Sequence, residues 1–519
     1  MKWWRVLAVA ALVLAGCGEE QRSEPVPTPA RFDELDRLPP KTGGFDALVK
    51  RREAYEAARR AEIARMRRSK SVEGALRVAR LTGRITVGAE GSMRAEWTNA
   101  NAVLGRLSGV PHTELAYVVN AVRSLAAGHI LTADRLRPTF LILRQNVRFW
   151  KDQPVPASGW RTTFGRDPTI FQYYPGRGLQ LQPLASWGRA NAIAGACLAA
   201  LRTKTTRDTC RRAAVTRSLD RLASLGARRS GYLAWEYYFA YGTGSPPWVS
   251  GMTQATAAQA LARGYRALGY TRWKRAAERS LGAFEQAPPS GVAVSGHYRL
   301  YSFSPGHQVL NGELQAVLGL RDTSALLHSD RARRLFRSGD RAARRSVAEY
   351  DTGAWSLYSQ RGAESTLSYH ALTAGFLGGL CDRTDARIYC RTFSRFERYE
   401  KEPTRIGLAP LKGTRWDRAR TVRFSLSKVS SVKVRVWGKR GLSLSRDFAQ
   451  LPRGSHSFAW KPEGRGRFRV RIEARGPSGP VGVETRVVRV TTPAAKKKKP
   501  KKQKKANKRQ AAGERPDTG

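Results

Sequence analysis

Apolar residues recur at helical spacing along most of this chain, in pairs of segments separated by short turns. One stripe covers residues 258–268 and ends at Gly269, and a second covers residues 273–284. A stripe of this period marks one face of an amphipathic helix, and a glycine just after it is typical of a helix C-terminus. The two segments therefore predict an αα-hairpin.

Comparable stripes predict about ten helices over residues 113–412. Helical pairs repeated along a chain commonly close into a ring. We therefore expect a mainly α fold in which residues 113–412 form an (α/α) toroid or incomplete barrel. Residues 45–112 are dense in Ala, Arg and Glu, and they predict a helical N-terminal region with a solvated face.

The period of the apolar residues changes from helix to strand near Trp416. Val422, Phe424 and Leu426 alternate with polar residues, and the alternation recurs further along the chain. Period-two alternation interrupted by Gly and Pro turns predicts short strands with one buried face. Residues 415–491 are therefore expected to form a small β-sandwich of the immunoglobulin-like kind.

The amino terminus resembles a bacterial lipoprotein signal. Lys2 and Arg5 precede an apolar run that ends in the sequence LAGC, at Cys17. The run is too short to span a bilayer but suits the core of a signal peptide. The resemblance implies that residues 1–16 are removed, that Cys17 is lipidated and that the exported protein is anchored to the outer face of the bacterial cell membrane. The Pro-rich residues 17–44 are then expected to be a linker.

The remaining cysteines suit an exported protein. Cys197, Cys210, Cys381 and Cys390 form an even set, for which three pairings are possible. We expect the local pairing, Cys197 with Cys210 and Cys381 with Cys390, because each bridge would then close one helix-helix turn. A zinc site is the alternative, but no CxxC pair or HxxxH cluster accompanies these thiols, so no metal is expected.

The charge balance indicates a polyanionic partner. Lys and Arg number 93 against 41 Asp and Glu, which gives a formal net charge of +52. Nucleic acid, anionic lipid and acidic polysaccharide all suit this charge, but export argues against nucleic acid. The Lys-rich residues 492–519 are expected to be a disordered tail that contacts anionic wall polymer or lipid. A general bias towards Arg is the alternative explanation for the rest of the excess.

Four stretches of the helical region combine Gly, Pro, amides and aromatics and lead into helices. They lie at residues 174–191, 247–254, 301–312 and 351–370. Loops that open helices on one rim of a toroid converge on its mouth. These stretches are therefore expected to share one pocket.

The motifs within these stretches resemble the D-glucuronyl C5-epimerase family. They read YPGxGLQxQPLASxGxxNA, WVSGMxQ, VLNG, DTGxWSLY and SYH, in that order, over roughly residues 170–400. The resemblance implies an (α/α) toroidal catalytic domain that works without a cofactor. Its expected reaction is inversion at C5 of a glucuronate residue inside an acidic polysaccharide, which gives iduronate.

The same resemblance maps catalytic tyrosines onto Tyr301, Tyr358 and Tyr369. A phenol can donate a proton when neutral and accept one as phenolate. Because its ordinary pKa is about 10, a neighbouring cation must favour the phenolate. Arg361 would fall on the same side as Tyr358 if that segment were helical, and its guanidinium could then grip the sugar carboxylate. The other residues expected to bind substrate are Gln180, Gln182, Trp248, Ser250, His307, Asn311 and His370.

Three positions depart from the family pattern. Leu300 stands where the family often has Glu, Ser359 where an acid often follows the second tyrosine, and Thr373 where a His is often found. The loss of a carboxylate that could carry a proton leaves two alternatives open. One is a non-catalytic lipoprotein that binds acidic glycans. The other is a polysaccharide lyase, in which loss of the C5 proton is followed by loss of the C4 substituent.

Overall fold

The computed structural model describes residues 45–203, 210–412 and 414–492. The chain divides between Lys401 and Glu402 into two compact units, which we call the helical unit and the strand unit. The predicted signal peptide, the lipidation site at Cys17, the linker and nearly all of the Lys-rich tail lie outside the described residues. Within those ranges, no helix combines the length and apolar character needed to cross a membrane.

The described part of the helical unit contains thirteen α-helices. They are α1 (Phe45–Arg68), α2 (Val72–Leu81), α3 (Val87–Leu104), α4 (Gly109–Ala127), α5 (Ala133–Asp152), α6 (Pro183–Thr203), α7 (Arg212–Ala223), α8 (Gly251–Leu268), α9 (Thr271–Ser280), α10 (Leu310–Leu327), α11 (Asp330–Ser346), α12 (Leu367–Thr384) and α13 (Arg387–Lys401). Two short 3₁₀ helices, Leu281–Phe284 and Val347–Tyr350, follow α9 and α11. The prediction of a mainly helical fold is confirmed.

Helices α6 to α13 form four consecutive pairs. The first members, α6, α8, α10 and α12, pack side by side in chain order, and each also packs against its own second member. The predicted αα-hairpin is the pair α8/α9, whose turn contains Gly269 in the left-handed conformation, with φ of 80°. A Cβ at Gly319 of α10 would lie 2.7 Å from the Ala255 carbonyl oxygen of α8. Only glycine therefore permits this close crossing.

The predicted disulfides are present. Cys197 of α6 is bonded to Cys210, just before α7, and Cys381 of α12 is bonded to Cys390 of α13. Each bridge joins the two members of one helix pair, as the local pairing predicted. Cross-links that close short loops stabilise a fold mainly by restricting the unfolded chain.

Seven short strands of the helical unit were not predicted. Among the described residues they are β1 (Arg161–Thr162), β2 (Phe171–Tyr174), β3 (Gly178–Leu181), β4 (Ala227–Arg229), β5 (Tyr232–Ala234), β6 (Ala293–Val294) and β7 (His297–Tyr298). They pair as the small antiparallel sheets β1-β2-β3, β4-β5 and β6-β7. Strands of two to four residues are too short to show a period, so the sequence pattern could not reveal them.

The strand unit has two antiparallel sheets. Its strands are β8 (Ile406–Leu408), β9 (Arg420–Leu426), β10 (Ser430–Gly438), β11 (Gly441–Leu451), β12 (Gly454–Trp460), β13 (Gly466–Arg475) and β14 (Val481–Val490). The sheet orders are β11-β10-β13-β14 and β12-β9-β8. The predicted alternation is observed, because Val422, Phe424 and Leu426 are buried and share one core with residues of the other sheet. Strand β8 pairs with β9 and lies before the predicted start at residue 415.

Candidate active site

Four loops and the first turns of the helices that follow them carry the predicted site residues, and each loop leads into the first member of a helix pair. The hairpin β2–β3 precedes α6, residues 235–250 precede α8, residues 299–309 precede α10, and residues 351–366 precede α12. Because α6, α8, α10 and α12 pack in order, their N-termini present these loops in the same order. The architecture thus explains how residues nearly 200 positions apart can meet.

Aromatic side chains of the four loops and of the first turn of α12 form one cluster, which we call the tyrosine cluster: Tyr174, Tyr241, Tyr301, Tyr358 and Tyr369. The ring centroids of Tyr301 and Tyr241 lie 5.7 Å apart, those of Tyr174 and Tyr241 6.4 Å, and those of Tyr358 and Tyr369 4.9 Å. Tyr301 and Tyr358 pack against the same buried group. The three tyrosines predicted as catalytic are therefore brought together.

Tyr358 lies on an extended segment and not on a helix. Its backbone N–H donates to the Ala363 carbonyl oxygen at 2.9 Å, and the intervening turn places Arg361 at φ of 57°. The expectation that Arg361 and Tyr358 share a helical face is therefore wrong. Arg361 is exposed and projects from the tip of the turn that follows Tyr358, a position from which its guanidinium remains accessible to an anion.

Tyr369 occupies the first turn of α12. The Thr366 side chain caps this helix by accepting from the Tyr369 backbone N–H, and the Thr373 hydroxyl donates to the Tyr369 carbonyl oxygen at 2.7 Å. The Tyr369 residue is 42% exposed. The backbone of this tyrosine is thus held by hydrogen bonds, while the residue remains accessible to solvent.

The environment of the cluster favours neutral phenols. Burial raises the pKa of Tyr301, and the neighbouring Tyr358 and Tyr241 raise it further. Burial also raises the pKa of Tyr358, as does the charge of Tyr369, whereas interaction with the Tyr301 hydroxyl lowers it. The expectation that a cation favours the phenolate is thus not met here, because burial is the largest influence on both groups. The interaction between the two hydroxyls thus lowers the pKa of Tyr358 and raises that of Tyr301.

The amide side chains fall into two classes. Gln182 is fully engaged within the protein, because its Nε2 donates to the Tyr174 hydroxyl at 2.8 Å and its Oε1 accepts from the Tyr237 hydroxyl at 3.1 Å. Gln180 and Asn311 are also buried, but the Gln180 Oε1 and Asn311 Oδ1 oxygens lack hydrogen-bond partners among the described residues. Gln182 therefore positions the two phenols. Gln180 and Asn311 each retain a side-chain oxygen that can accept a further hydrogen bond.

Two further predicted residues lie at the cluster. The His307 ring stacks beside Tyr301, with centroids 6.4 Å apart. Trp248 is buried against Tyr237 at 4.0 Å, and its edge meets Tyr301 at 5.8 Å. The Trp248 indole N–H donates to the Phe239 carbonyl oxygen. Tyr301 therefore packs against Trp248 by an edge contact and against His307 by stacking.

His370 and Ser250 are not placed at the tyrosine cluster. The His370 side chain is 0% exposed, stacks on Trp355 and hydrogen-bonds to the Ser356 hydroxyl and the Phe396 carbonyl oxygen. Ser250 is buried and caps α8 by accepting from the Thr253 backbone N–H. The predicted substrate contacts of these two residues are not supported by this geometry, because their polar atoms are used inside the protein.

The three departures from the family pattern lie at Leu300, at Ser359 and at Thr373, whose hydroxyl donates to the Tyr369 carbonyl oxygen. Leu300 is buried in the apolar group that Tyr301 and Tyr358 also contact. Ser359 forms an isolated bridge with Val309. The apolar side chain of Leu300 thus occupies the position at which the family often has the carboxylate of a Glu. No three His, Cys, Asp or Glu side chains within the described ranges are grouped so as to hold a metal ion.

Tyr174 and Tyr241 were not among the predicted site residues, although Tyr174 begins the first of the four stretches. Tyr174 ends β2, directly before the glycine turn of the hairpin, and its ring lies 4.6 Å from that of Phe239. Burial raises the pKa of Tyr174 to about 12. A usable signal for Tyr241 was present, since five of the seven residues at positions 235–241 are aromatic and precede the WVSGM motif. Pockets that bind small molecules are commonly lined by such aromatic side chains.

Comparisons with known proteins bear on this geometry. Residues 229–398 match the family described as the D-glucuronyl C5-epimerase C-terminus. The predicted resemblance is thereby confirmed over a stretch shorter than residues 170–400, which excludes the β2–β3 hairpin. The match indicates a carbohydrate epimerase, and hence an isomerase, as the class of activity.

Comparisons with solved structures and with curated proteins do not inform the function of this site. The structure of cellobiose 2-epimerase from Spirochaeta thermophila is similar at 16% identity, covering 60% of this chain and 73% of that chain, with a TM-score of 0.33. A similarity this low supports no detail of this site. No curated protein matches the chain.

Proposed function

We propose that this carbohydrate epimerase inverts C5 of glucuronate residues within an acidic polysaccharide. The observation that carries the proposal is the meeting of Tyr301, Tyr358 and Tyr369 in one cluster, with ring centroids of the last two 4.9 Å apart. Inversion needs two proton-transfer groups, one for each face of the sugar ring. Three phenols in one place supply enough groups for both faces.

The proposed reaction has two proton transfers. The Tyr358 phenolate removes the C5 proton, and the electron pair left on C5 delocalises into the adjacent carboxylate. A second phenol, for which we propose Tyr369, returns a proton to the opposite face of C5. The Tyr301 hydroxyl assists the first transfer because its interaction with Tyr358 lowers the pKa of that phenol.

The carboxylate of the sugar must be stabilised as it becomes enolate-like. Arg361 is the proposed partner, because it is exposed on the turn that follows Tyr358 and a guanidinium can bind a carboxylate through two hydrogen bonds. The unpartnered oxygens of Gln180 and Asn311 are proposed acceptors for sugar hydroxyls. Buried acceptors without partners are costly, and a bound hydroxyl would remove that cost.

The proposal extends to the architecture and the location. The four helix pairs are proposed to form an incomplete (α/α) ring, and the strand unit is proposed to be immunoglobulin-like. The lipoprotein-like amino terminus supports anchoring of Cys17 to the outer face of the cell membrane. The Lys-rich tail is proposed to contact anionic wall polymer or lipid.

Deuterium exchange tests the reaction directly. Glucuronate polymers incubated with the protein in D₂O are expected to gain deuterium at C5, read by NMR or mass spectrometry, without ultraviolet absorbance from an unsaturated uronate. Absorbance of that kind would identify a lyase instead. Binding without exchange on any polymer would leave the non-catalytic glycan-binding alternative.

Replacement of Arg361 tests the carboxylate site. Arg361→Ala is expected to lower the exchange rate by about 100-fold or more, because removing one charge-stabilising donor costs rates of that order. Arg337→Ala is the matched control, since Arg337 is an exposed arginine on α11. Equal rates in the two variants would contradict the role assigned to Arg361.

A further inference from the structure

We propose that helix α4, through Glu114 and Tyr117, is a positioning element of the active site. The inference rests on the proposed function, because it concerns the arrangement of the proposed catalytic cluster. Helix α4 covers Gly109–Ala127, about 100 residues before the stretch that matches the epimerase family. The two side chains are three residues apart and therefore lie on one face of the helix.

Glu114 holds the glycine turn of the β2–β3 hairpin. Its Oε1 accepts from the Tyr173 hydroxyl at 2.8 Å and from the Gly176 backbone N–H at 2.7 Å, and its Oε2 accepts from the Gly178 backbone N–H at 2.6 Å. The Glu114 residue is 2% exposed. Both carboxylate oxygens are thus satisfied by donors of the hairpin, and bonds to a carboxylate are stronger than those between neutral groups.

The turn has a conformation that depends on this support. Gly176 and Gly178 have φ of 74° and 72°. A Cβ at Gly178 would lie 2.6 Å from the Asn146 Oδ1 oxygen. Asn146 in turn accepts from the Leu179 backbone N–H at 2.8 Å and donates to the Leu179 carbonyl oxygen at 2.7 Å. The hairpin is therefore docked on α4 and α5 through its backbone, by buried polar side chains that fit only this turn.

Tyr117 holds the neighbouring wall of the site. Its hydroxyl accepts from the Ala240 backbone N–H at 2.8 Å, and its ring packs against the group formed by Tyr237, Phe239 and Trp248. Ala240 directly precedes Tyr241 of the tyrosine cluster. One face of α4 thus fixes the backbones of two loops whose aromatic rings meet.

The consequence is that two of the five cluster tyrosines depend on residues outside the family-matched stretch. Tyr174 lies between the two anchored loops, 4.6 Å from Phe239 and 6.4 Å from Tyr241 by ring centroids. A displacement of the hairpin would move Tyr174 relative to Tyr241, and Tyr241 contacts Tyr301. Misplacement of about 1 Å at a reacting centre can cost about 100-fold in rate.

The test replaces Glu114 by glutamine. The amide offers one acceptor oxygen and turns a donor towards one of the two glycine N–H groups. In Glu114→Gln we expect kcat for C5 deuterium exchange to fall about 10- to 100-fold with KM within about threefold. Amide hydrogen exchange of peptides covering residues 174–181 is expected to quicken in this variant, and that of residues 237–241 is expected to quicken in Tyr117→Phe, which removes the acceptor of the Ala240 N–H. Tyr173→Phe removes one donor but leaves both glycine bonds, so its kcat should stay within about threefold of wild type.

Glu90→Gln is the matched control. Glu90 is also a buried carboxylate of the N-terminal helices, but its partners are Arg77, Arg80 and Arg94, far from the hairpin in the chain. The control should keep both kcat and the exchange of residues 174–181 at wild-type values. An equal loss of kcat in the control would overturn the proposal, because general destabilisation would then explain both.

The outcomes separate this inference from the proposed function. If wild-type protein exchanges no uronate, the proposed function fails. The amide-exchange arm still decides the inference, since unchanged rates for residues 174–181 in Glu114→Gln and for residues 237–241 in Tyr117→Phe would overturn the positioning role. If the wild type is active and Glu114→Gln loosens the hairpin without lowering kcat, the inference fails alone.

Discussion

The buried tyrosines of helix α13 and those of the tyrosine cluster have different hydrogen-bond partners. On α13, the Tyr389 hydroxyl donates to Asp340 at 2.9 Å and the Tyr399 hydroxyl donates to Asp351 at 3.0 Å. In the cluster, the Tyr174 hydroxyl accepts from the Gln182 amide. The first kind of phenol donates a hydrogen bond to a carboxylate, whereas the Tyr174 hydroxyl accepts one and its own hydrogen can be donated to another group.

The pKa shifts express the same difference. Burial raises the pKa of Tyr389, and the charge of Asp340 and the hydrogen bond to it add to that rise. For Tyr358 burial again raises the pKa, but the Tyr301 hydroxyl acts in the opposite direction. The carboxylate partner therefore adds to the rise in the pKa of Tyr389, whereas the Tyr301 hydroxyl partly opposes the rise in the pKa of Tyr358. A phenol that acts as a base must reach its ionised form, which the second arrangement favours.

The largest expected difference between the two regions is between Tyr358→Phe and Tyr389→Phe. Loss of a phenol that transfers the proton should lower C5 deuterium exchange by about 100- to 10,000-fold. Loss of the Tyr389 hydroxyl should leave exchange within about twofold but lower the free energy of unfolding by about 1 to 3 kcal/mol, because the buried Asp340 loses a donor. Exchange assays and denaturant titration of both variants measure the two effects.

The opposite result for the two variants would contradict the difference between the cluster and helix α13. Substantial exchange in Tyr358→Phe, together with an unchanged helical circular dichroism spectrum, would remove Tyr358 from the proposed reaction. A large loss of exchange in a stably folded Tyr389→Phe would show that the α13 phenols are not merely structural.

The pH dependence of the wild type is the next largest effect. Because burial raises the pKa of Tyr358 above its ordinary value, only a small fraction is phenolate at pH 7. That fraction grows about tenfold per pH unit below the pKa, so kcat/KM for exchange should rise about 100-fold from pH 7 to pH 9. A flat or falling profile, measured with the fold intact, would exclude Tyr358 as the base.

Local patterns predicted the parts of the fold that depend on local structure. The αα-hairpin at Gly269 follows from apolar spacing and one left-handed glycine. The local disulfides follow from cysteines placed on either side of helix-helix turns. The position of Arg361 relative to Tyr358 was predicted wrongly, because the bridges at Asp351 and Leu357 are single residue pairs and leave no period in the sequence. The extended conformation of this loop could therefore not be predicted.

The site could be predicted only where motifs carried it. Tyr301, Tyr358 and Tyr369 came from the family resemblance, and the structure brings them together. His370 sits within one of the motifs, yet its side chain turns into the core beside Trp355. Adjacent residues on a helix point in different directions, so a motif alone does not tell which side chain reaches a site. Glu114 lies about 60 residues before its glycine partners, and no local pattern connects such distant positions.

The smallest expected effect comes from making the cluster resemble α13. Gln182→Glu places a carboxylate beside Tyr174, whose hydroxyl now accepts from the amide. The phenol would then donate to the carboxylate, the negative charge would raise the pKa of Tyr174 further, and its hydrogen would no longer be available to a sugar. We expect exchange to fall about tenfold, since one donor among several is lost. Gln286→Glu, at a glutamine that donates to the Ser230 carbonyl oxygen, is the control and should keep the wild-type rate. If Gln182→Glu matches this control, the partner of the phenol does not decide its role, and the contrast between the two regions loses its chemical meaning.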